Sequence, residues 1–284
     1  NQRRAVRAVV NRMLGLDRRR SLPKFRQSLY RWYNKQQKDA DTTKSAVVVF
    51  PDCFTVYNEP HIGIAAMRTL ELLGYRAVLP KIGCCGRPHV SCGVLDRAAN
   101  VCGETARQLN ETMRTHNAVA IVGLEPSCVS AIKDDWRDLK TGVDANIMQS
   151  LTERTHMIDE FIESRWAQHP APPDENVIQT ARRDRTPVLL HGHCHHKALW
   201  GVNASADALR RFAGERLRVL DTGCCGMAGS FGYTADHYDL SMQIAEQRLL
   251  PAVRESPEAV VLTDGTSCRH QIHDGIGRNA LHPV

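Results

Sequence analysis

The sequence predicts an α/β chain of two pseudo-repeated lobes, each a parallel sheet flanked by helices, with cysteines at the carboxyl ends of its strands. Two observations carry this reading. Short, continuous, β-branched apolar runs alternate with stretches at helical spacing, the pattern of parallel strands joined by helical crossovers. The whole alternation then occurs a second time, and cysteines recur in it almost in register. Cys53 to Cys84 is 31 positions and Cys194 to Cys224 is 30, while Cys85 to Cys128 and Cys225 to Cys268 are both 43. Preserving four cysteines to within one position implies duplication of one β-Cys-α-β-CysCys-α-β-Cys unit.

Taken in order, Ala46–Phe50 reads as a buried strand ending at Pro51-Asp52-Cys53. A helix follows over about Pro60 to Leu73, with Ile64, Met67, Leu70 and Leu73 at helical spacing and Gly74 as its stop. Arg76–Leu79 is a short strand running to Gly83-Cys84-Cys85-Gly86, and about Leu95 to Thr115 is a long helix. Ala118–Val122 is a third strand, ending at Glu125-Pro126-Ser127-Cys128 with a helix after it. The second half repeats this: Val188–Leu190 to His193-Cys194-His195, a helix near Asp207–Ala213, then Leu217–Leu220 to Gly223-Cys224-Cys225-Gly226. A helix over about His237–Leu250 and a strand Ala259–Leu262 lead to Thr266-Ser267-Cys268. Between the halves, Leu151–Trp166 reads as one amphipathic helix and the polar stretch to about Thr186 as a linker. The expected organisation is therefore a leader over 1–44, a first lobe over 45–150, a helix and linker over 151–186 and a second lobe over 187–284.

Composition, at 42% hydrophobic and 24% charged, is that of a soluble globular chain, and no apolar run is long enough to span a bilayer. With no legible signal peptide, the expected location is cytoplasmic, or peripheral on the inner face of the membrane. The net charge of +6 is unevenly spread: residues 1–44 carry +10 and the remainder −4. The basicity thus describes a connector rather than a nucleic-acid-binding body, and Tyr30-Arg31-Trp32-Tyr33 is a single aromatic–basic patch, not a nucleic-acid module. The start at Asn1 reads as that of a piece of a longer chain.

In open α/β sheets ligands sit outside the carboxyl ends of the strands, so each cysteine set should converge on one site. Thiolates are soft ligands that select iron–sulfur clusters, zinc or copper(I). Structural zinc favours Cys-x-x-Cys knuckles, which this sequence lacks, and a reducing compartment disfavours disulfides. The spacing favours a [4Fe-4S] cluster, with zinc and redox thiols as rivals. The candidate ligands are Cys53, Cys84, Cys85 and Cys128, and Cys194, Cys224, Cys225 and Cys268. Cys102 reads as core, and Cys92 as a neighbour of the first set. His193 and His195, among the four histidines around Cys194, are candidates to donate to cluster sulfur or carry protons, and Gly86 and Gly226 to let backbone amides approach it. Lys197, Arg87 and Arg269 stand beside proposed ligands and could balance cluster charge. Gly226, Gly229 and Gly232 match no nucleotide-binding spacing, and no catalytic residue or hydride step is assigned to this chain.

The two Gly-Cys-Cys-Gly motifs, each with a cysteine about 30 before and 43 after, resemble the cysteine-rich CCG domain over residues 45–284. That family includes the B subunit of heterodisulfide reductase and the iron–sulfur subunits of anaerobic glycerol-3-phosphate and glycolate dehydrogenases. It also includes the C-terminal part of FAD-linked D-2-hydroxy acid oxidases, which His193-Cys194-His195, the run from Cys224 to Gly232 and the leader from Leu14 to Pro23 resemble most. The resemblance implies an electron-transfer module holding one or two [4Fe-4S] clusters. FAD would lie on another domain or subunit, with a ferredoxin-like domain and a quinone or other acceptor as partners. In heterodisulfide reductase the last cysteine belongs to a Cys-x-x-Cys; here its earlier position is Glu125 or Gly265, which counts against a noncubane cluster. Heterodisulfide or thiol reduction, and a zinc-stabilised structural module, stand as the alternatives.

Overall fold

The computed structural model describes residues 4–36 and 41–284; Arg3, Lys38 and Asp39 of the basic leader lie outside them. The chain divides into two compact units, here the first and second lobes: Phe25–Gln179 with Val284, and Thr180–Pro283 with the leader residues up to Lys24.

The first lobe is built on a four-stranded parallel sheet of β1 (Ala46–Val49), β2 (Arg76–Val78), β3 (Ala120–Gly123) and β4 (Thr155–Met157), in the order β2-β1-β3-β4. Val47 faces Ala77 on β2 and Ala120 on β3, which fixes the register. Successive side chains point to opposite faces, so β1 feeds two cores at once. Val47 and Val49 pack with Met67, Leu70 and Phe161, and Ala46 and Val48 pack with Leu109, Ile121 and Trp136. A strand covered on both faces must be apolar throughout, which is why Ala46–Val49 shows no alternation. Burying each such valine contributes about 1.5–3 kcal/mol. The long helix spans Leu95–Thr115 and Pro60–Leu72 forms the helix after β1.

The second lobe has a three-stranded parallel sheet of β5 (Val188–Leu190), β6 (Leu217–Val219) and β7 (Val260–Leu262), in the order β6-β5-β7. In each lobe the first strand is flanked by the second on one side and the third on the other. Both sheets therefore have a switch point beside their central strand, where the flanking loops diverge and leave a crevice.

Three expectations need correction. Leu151–Trp166 is not one helix: Ala145–Arg154 ends at β4, and a second helix resumes at Ile158–Ser164. Residues Thr155–Met157 pair with Ile121–Gly123, so parallel pairing to a buried edge outweighs helical periodicity there. Of the apolar face expected there, Met157, Ile158 and Phe161 are nonetheless buried and Ile162 is half-buried. The stretch expected to be linker contains the helix Glu175–Arg183. The run His237–Leu250 is two helices, Tyr238–Gln247 and Leu249–Arg254, with Arg248 between them.

The leader, expected as a connector or a domain contact, makes domain contacts. Leu29–Gln36 packs on the first lobe, where Tyr30 Oη donates to Pro80 O at 3.0 Å. Residues Gly15–Ser21 lie against the second lobe: Leu16 bridges Thr234 antiparallel, and Asp17 N donates to Tyr233 O at 2.8 Å.

Candidate metal centre

The strand ends deliver the cysteines as the topology requires. In the first lobe Cys53 opens the short helix Cys53–Tyr57, Cys84 and Cys85 lie in the loop after β2, and Cys128 lies in the helix Pro126–Ser130 after β3. In the second, Cys194 opens the helix Cys194–Leu199, Cys224 and Cys225 follow β6, and Cys268 lies in the helix Thr266–Ile276. Each set comes together. The Cys85 thiol donates to Cys128 Sγ at 3.1 Å, and Cys84 hydrogen-bonds both Cys53 and Cys85. In the second lobe Cys224 bonds Cys194 and Cys225, and Cys225 also reaches Cys268.

Among the described residues no three histidine, cysteine or carboxylate groups surround a single ion position. The thiols hydrogen-bond one another instead, and the 3.1 Å between Cys85 and Cys128 Sγ is shorter than the about 3.8 Å that tetrahedral zinc with about 2.3 Å bonds would set, so a metal group taken up there parts that pair. The donor chemistry fits a soft group: four sulfurs per site, drawn from three loops, with polarised N–H groups beside them. Gly86 N lies 3.5 Å from Cys84 Sγ and Gly226 N lies 3.3 Å from Cys224 Sγ, each donating to sulfur. Both glycines hold positive φ, 81° and 88°. A Cβ at Gly86 would overlap Cys102 Sγ, and one at Gly226 would overlap Ser241 O. Conformation and space together demand glycine after the cysteine pair, which is the physical content of the Cys-Cys-Gly motif.

Neighbouring groups set the thiols apart. Hydrogen bonds from Cys53 and Cys85, with help from the Gly86 amide, pull the Cys84 thiol down, whereas the bond to Cys84 and burial push Cys53 up. Cys224 and Cys194 repeat this pair. The last cysteines differ. Cys128 is lowered by its bond from Cys85 but raised on balance, by burial and by the charges of Asp52 and Glu125. Cys268 is brought well down by its bond from Cys225 and, against burial, by His191 and His193.

A sequence pattern of the CCG cysteine-rich domain matches residues 47–133 and again 188–273. The chain belongs to the CCG cysteine-rich domain family. Over 281 residues it is 26% identical to the C subunit of the anaerobic glycerol-3-phosphate dehydrogenase of Escherichia coli, covering 98% of this chain and 68% of that protein. Over 247 residues it is 28% identical to Escherichia coli D-2-hydroxyglutarate dehydrogenase, covering 87% of this chain and 23% of that protein. It is 27% identical over 126 residues to an uncharacterized iron–sulfur protein of Methanococcus maripaludis, covering 44% of this chain and 24% of that protein. The chain thus spans about two thirds of the first relative and under a quarter of the second.

The residues that brace these CCG sites are only partly those singled out by sequence. His193 caps the Cys194 helix: its Nδ1 accepts from His195 N at 3.3 Å, and the two imidazole rings lie 5.2 Å apart. Glu125 caps the Cys128 helix, accepting from Ser127 N and, at 2.6 Å, from Ser127 Oγ. Cys102 is fully buried under the first cysteine pair, donating to Cys85 O, while Cys92 is exposed at the end of the helix Arg87–Ser91. The three cations are internal braces. Arg87 donates to Ser127 O and Ser130 Oγ and pairs with Asp135. Arg269 donates to Thr263 O and Asp264 O, and Lys197 to Thr222 O and, at 2.8 Å, to Gly223 O.

Sequence reasoning missed the donors that fix the cysteine backbone. Trp136 Nε1 donates to Cys85 O at 2.8 Å, and Thr105 Oγ1 to Cys84 O at 3.0 Å. A single π turn, Ala131–Asp135, precedes Trp136. Such turns recur at functional sites, and this one was not legible from periodicity. Also missed was a buried His196–Asp264 pair, Nδ1 to Oδ2 at 2.7 Å, with Ser205 Oγ 3.4 Å from His196 Nε2. All three are buried, so the arrangement ties helices to a strand end and presents no nucleophile.

Proposed function

We propose that this chain is the iron–sulfur electron-transfer module of a flavin-dependent dehydrogenase acting on a 2-hydroxy acid or on glycerol-3-phosphate. In this reading Cys53, Cys84, Cys85 and Cys128 hold one [4Fe-4S] cluster, and Cys194, Cys224, Cys225 and Cys268 hold a second. Bound there, a cluster supplies reversible one-electron storage. The chain's own residues hold it by four thiolates, direct the Gly86 and Gly226 amides at Cys84 and Cys224, and limit water by burying Cys85, Cys225 and Cys268. FAD would lie on another domain or subunit, a ferredoxin-like domain would stand between the two, and a quinone or other carrier would take the electrons. The location in this reading is cytoplasmic or peripheral on the membrane; among the described residues no helix is long and apolar enough to cross a membrane.

The observation that carries this reading is the convergence of two four-thiol sets at the strand ends of two repeated sheets. The names of the relatives support it: two dehydrogenases, one of them represented by a separate subunit, and an iron–sulfur protein. Protein purified without oxygen, or reconstituted, should contain roughly four iron and four sulfide per intact site. Cys84→Ser and Cys224→Ser should each abolish the electron paramagnetic resonance signal of one lobe. Stoichiometric zinc without iron would overturn the proposal, and loss of both signals from either change would overturn the two-site form.

A further inference from the structure

Arg20 belongs to the leader, in the run Asp17-Arg18-Arg19-Arg20 that reads from sequence as part of a basic connector. Its side chain is instead 1% exposed, inside the second lobe. Nε donates to Gly232 O at 2.6 Å, Nη1 to Gln271 Oε1 at 2.6 Å, and Nη2 to Ser241 Oγ at 2.9 Å. Asp274 lies 3.6 Å from Nη1 and balances the charge, and the guanidinium lies over the Tyr238 ring, 4.6 Å from its centroid. Ser21 Oγ adds a bond to Asp274 Oδ1 at 2.6 Å.

The acceptors lie on three elements, and each leads to the cysteines. Gly232 closes the loop that begins at Cys224 and Cys225, its amide donating to Met227 O at 2.9 Å. Ser241 lies on the helix Tyr238–Gln247 and its carbonyl packs against Gly226, whose amide donates to Cys224 Sγ. Gln271 sits one turn beyond Cys268 on the same helix, and its Nε2 donates to Ser241 O at 3.0 Å. One planar fork thus ties the cysteine-pair loop to the Cys268 helix; a lysine, with a single nitrogen, cannot span three fixed acceptors.

The first lobe solves the same problem with a residue of its own. Arg87 follows Gly86 directly and ties that loop to the Cys128 helix through Ser127 O, Ser130 Oγ and Asp135. The corresponding residue after Gly226 is Met227, which is fully buried and makes no such tie. We propose that Arg20 is the positioning residue of the second four-cysteine site, supplied by the leader in place of the arginine that the motif carries in the first lobe.

The reading of the site as a cluster site underlies its use in the holoprotein, so the test has one arm that does not need the cluster. In the metal-free full chain, Arg20→Met should speed alkylation by iodoacetamide at Cys224 and Cys225 by roughly tenfold or more, because the loop opens locally. Cys84 and Cys85 should stay within about twofold of wild type. Arg20→Lys should behave like Arg20→Met, because the fork and not the charge is required. In the reconstituted chain carrying Cys84→Ser, Arg20→Met should alter the line shape of the remaining electron paramagnetic resonance signal. Unchanged labelling in a variant with wild-type circular dichroism, or equal acceleration in both lobes, would overturn the proposal. Should Arg20→Met fail to fold, Ser241→Ala removes one acceptor and must still accelerate labelling in the second lobe alone. Failure to assemble any cluster in the wild-type chain would defeat the proposed function, and the labelling result would still decide the role of Arg20.

Discussion

Each lobe has a parallel sheet of its own, nearly the same cysteine spacing and a glycine of positive φ after its cysteine pair, yet the two surround their thiols with opposite chemistry. In the first lobe the residue before the first cysteine is Asp52, which caps its helix by accepting from Thr55 N at 2.8 Å; in the second it is His193. Before the last cysteine the first lobe has Glu125 and the second has Gly265. These two exchanges are one exchange. A Cβ at Gly265 would overlap the His193 ring, so the imidazole occupies space next to the helix start where the first lobe has a side chain of its own. The acidic pair raises Cys128 and the histidines lower Cys268. Duplication therefore kept the four cysteines of each lobe, while the charge near them diverged.

The comparison can be broken most severely by transplanting the acid. Gly265→Glu would force aside the His193 ring, which lies where a Cβ at Gly265 would stand, and would bury a carboxylate beside Cys268. It should cost about 3–5 kcal/mol in urea unfolding, whereas the reverse change, Glu125→Gly, removes a cap and should cost about 1 kcal/mol. Equal costs would mean that the two helix starts are interchangeable.

A smaller effect distinguishes the lobes by pH. Burial raises the Asp264 carboxyl, but the hydrogen bond and charge of His196 outweigh it and bring it from 3.8 down to about 2. A folded value below the unfolded one contributes stability above about pH 4 that is lost as pH falls through about 2. Asp264→Asn should therefore reduce stability by about 2 kcal/mol near neutral pH, with the deficit shrinking towards about pH 2. The first lobe has Leu124 at the matching position and should lack this dependence. Urea unfolding across the acid range checks it; a constant deficit would assign the pair a packing role alone.

The smallest expected change sharpens the comparison from the other side. Trp136→Phe keeps the ring in the first-lobe core but leaves Cys85 O without its indole donor. It should destabilise by about 1 kcal/mol and accelerate iodoacetamide labelling of Cys84 and Cys85 only. The second lobe has Ile276 in the corresponding place and depends on Gln271 and Arg20 instead.

Much of this molecule is legible in sequence because it rests on local periodicity. Ala46–Val49 reads as a buried strand because the run is short, continuous and rich in β-branched valine. The long helix Leu95–Thr115 follows from its spacing, and the eight thiols follow from the repeat. Thr155–Met157 was hidden because three residues carry no period, and only pairing with Ile121–Gly123 makes them a strand.

By itself, then, the sequence determined the two parallel sheets, the strand ends at which the cysteines converge, and the glycine after each cysteine pair. The strand and helix segments behind those features depend on residues near one another in the chain, and the duplicated spacing shows how they assemble. Tertiary structure alone decided which groups hold the thiols in place. Trp136 reaches Cys85 O across 51 positions and Arg20 reaches Gln271 across 251. A buried guanidinium and a solvated one are the same letter, and only packing determines whether its donors meet water or three fixed acceptors.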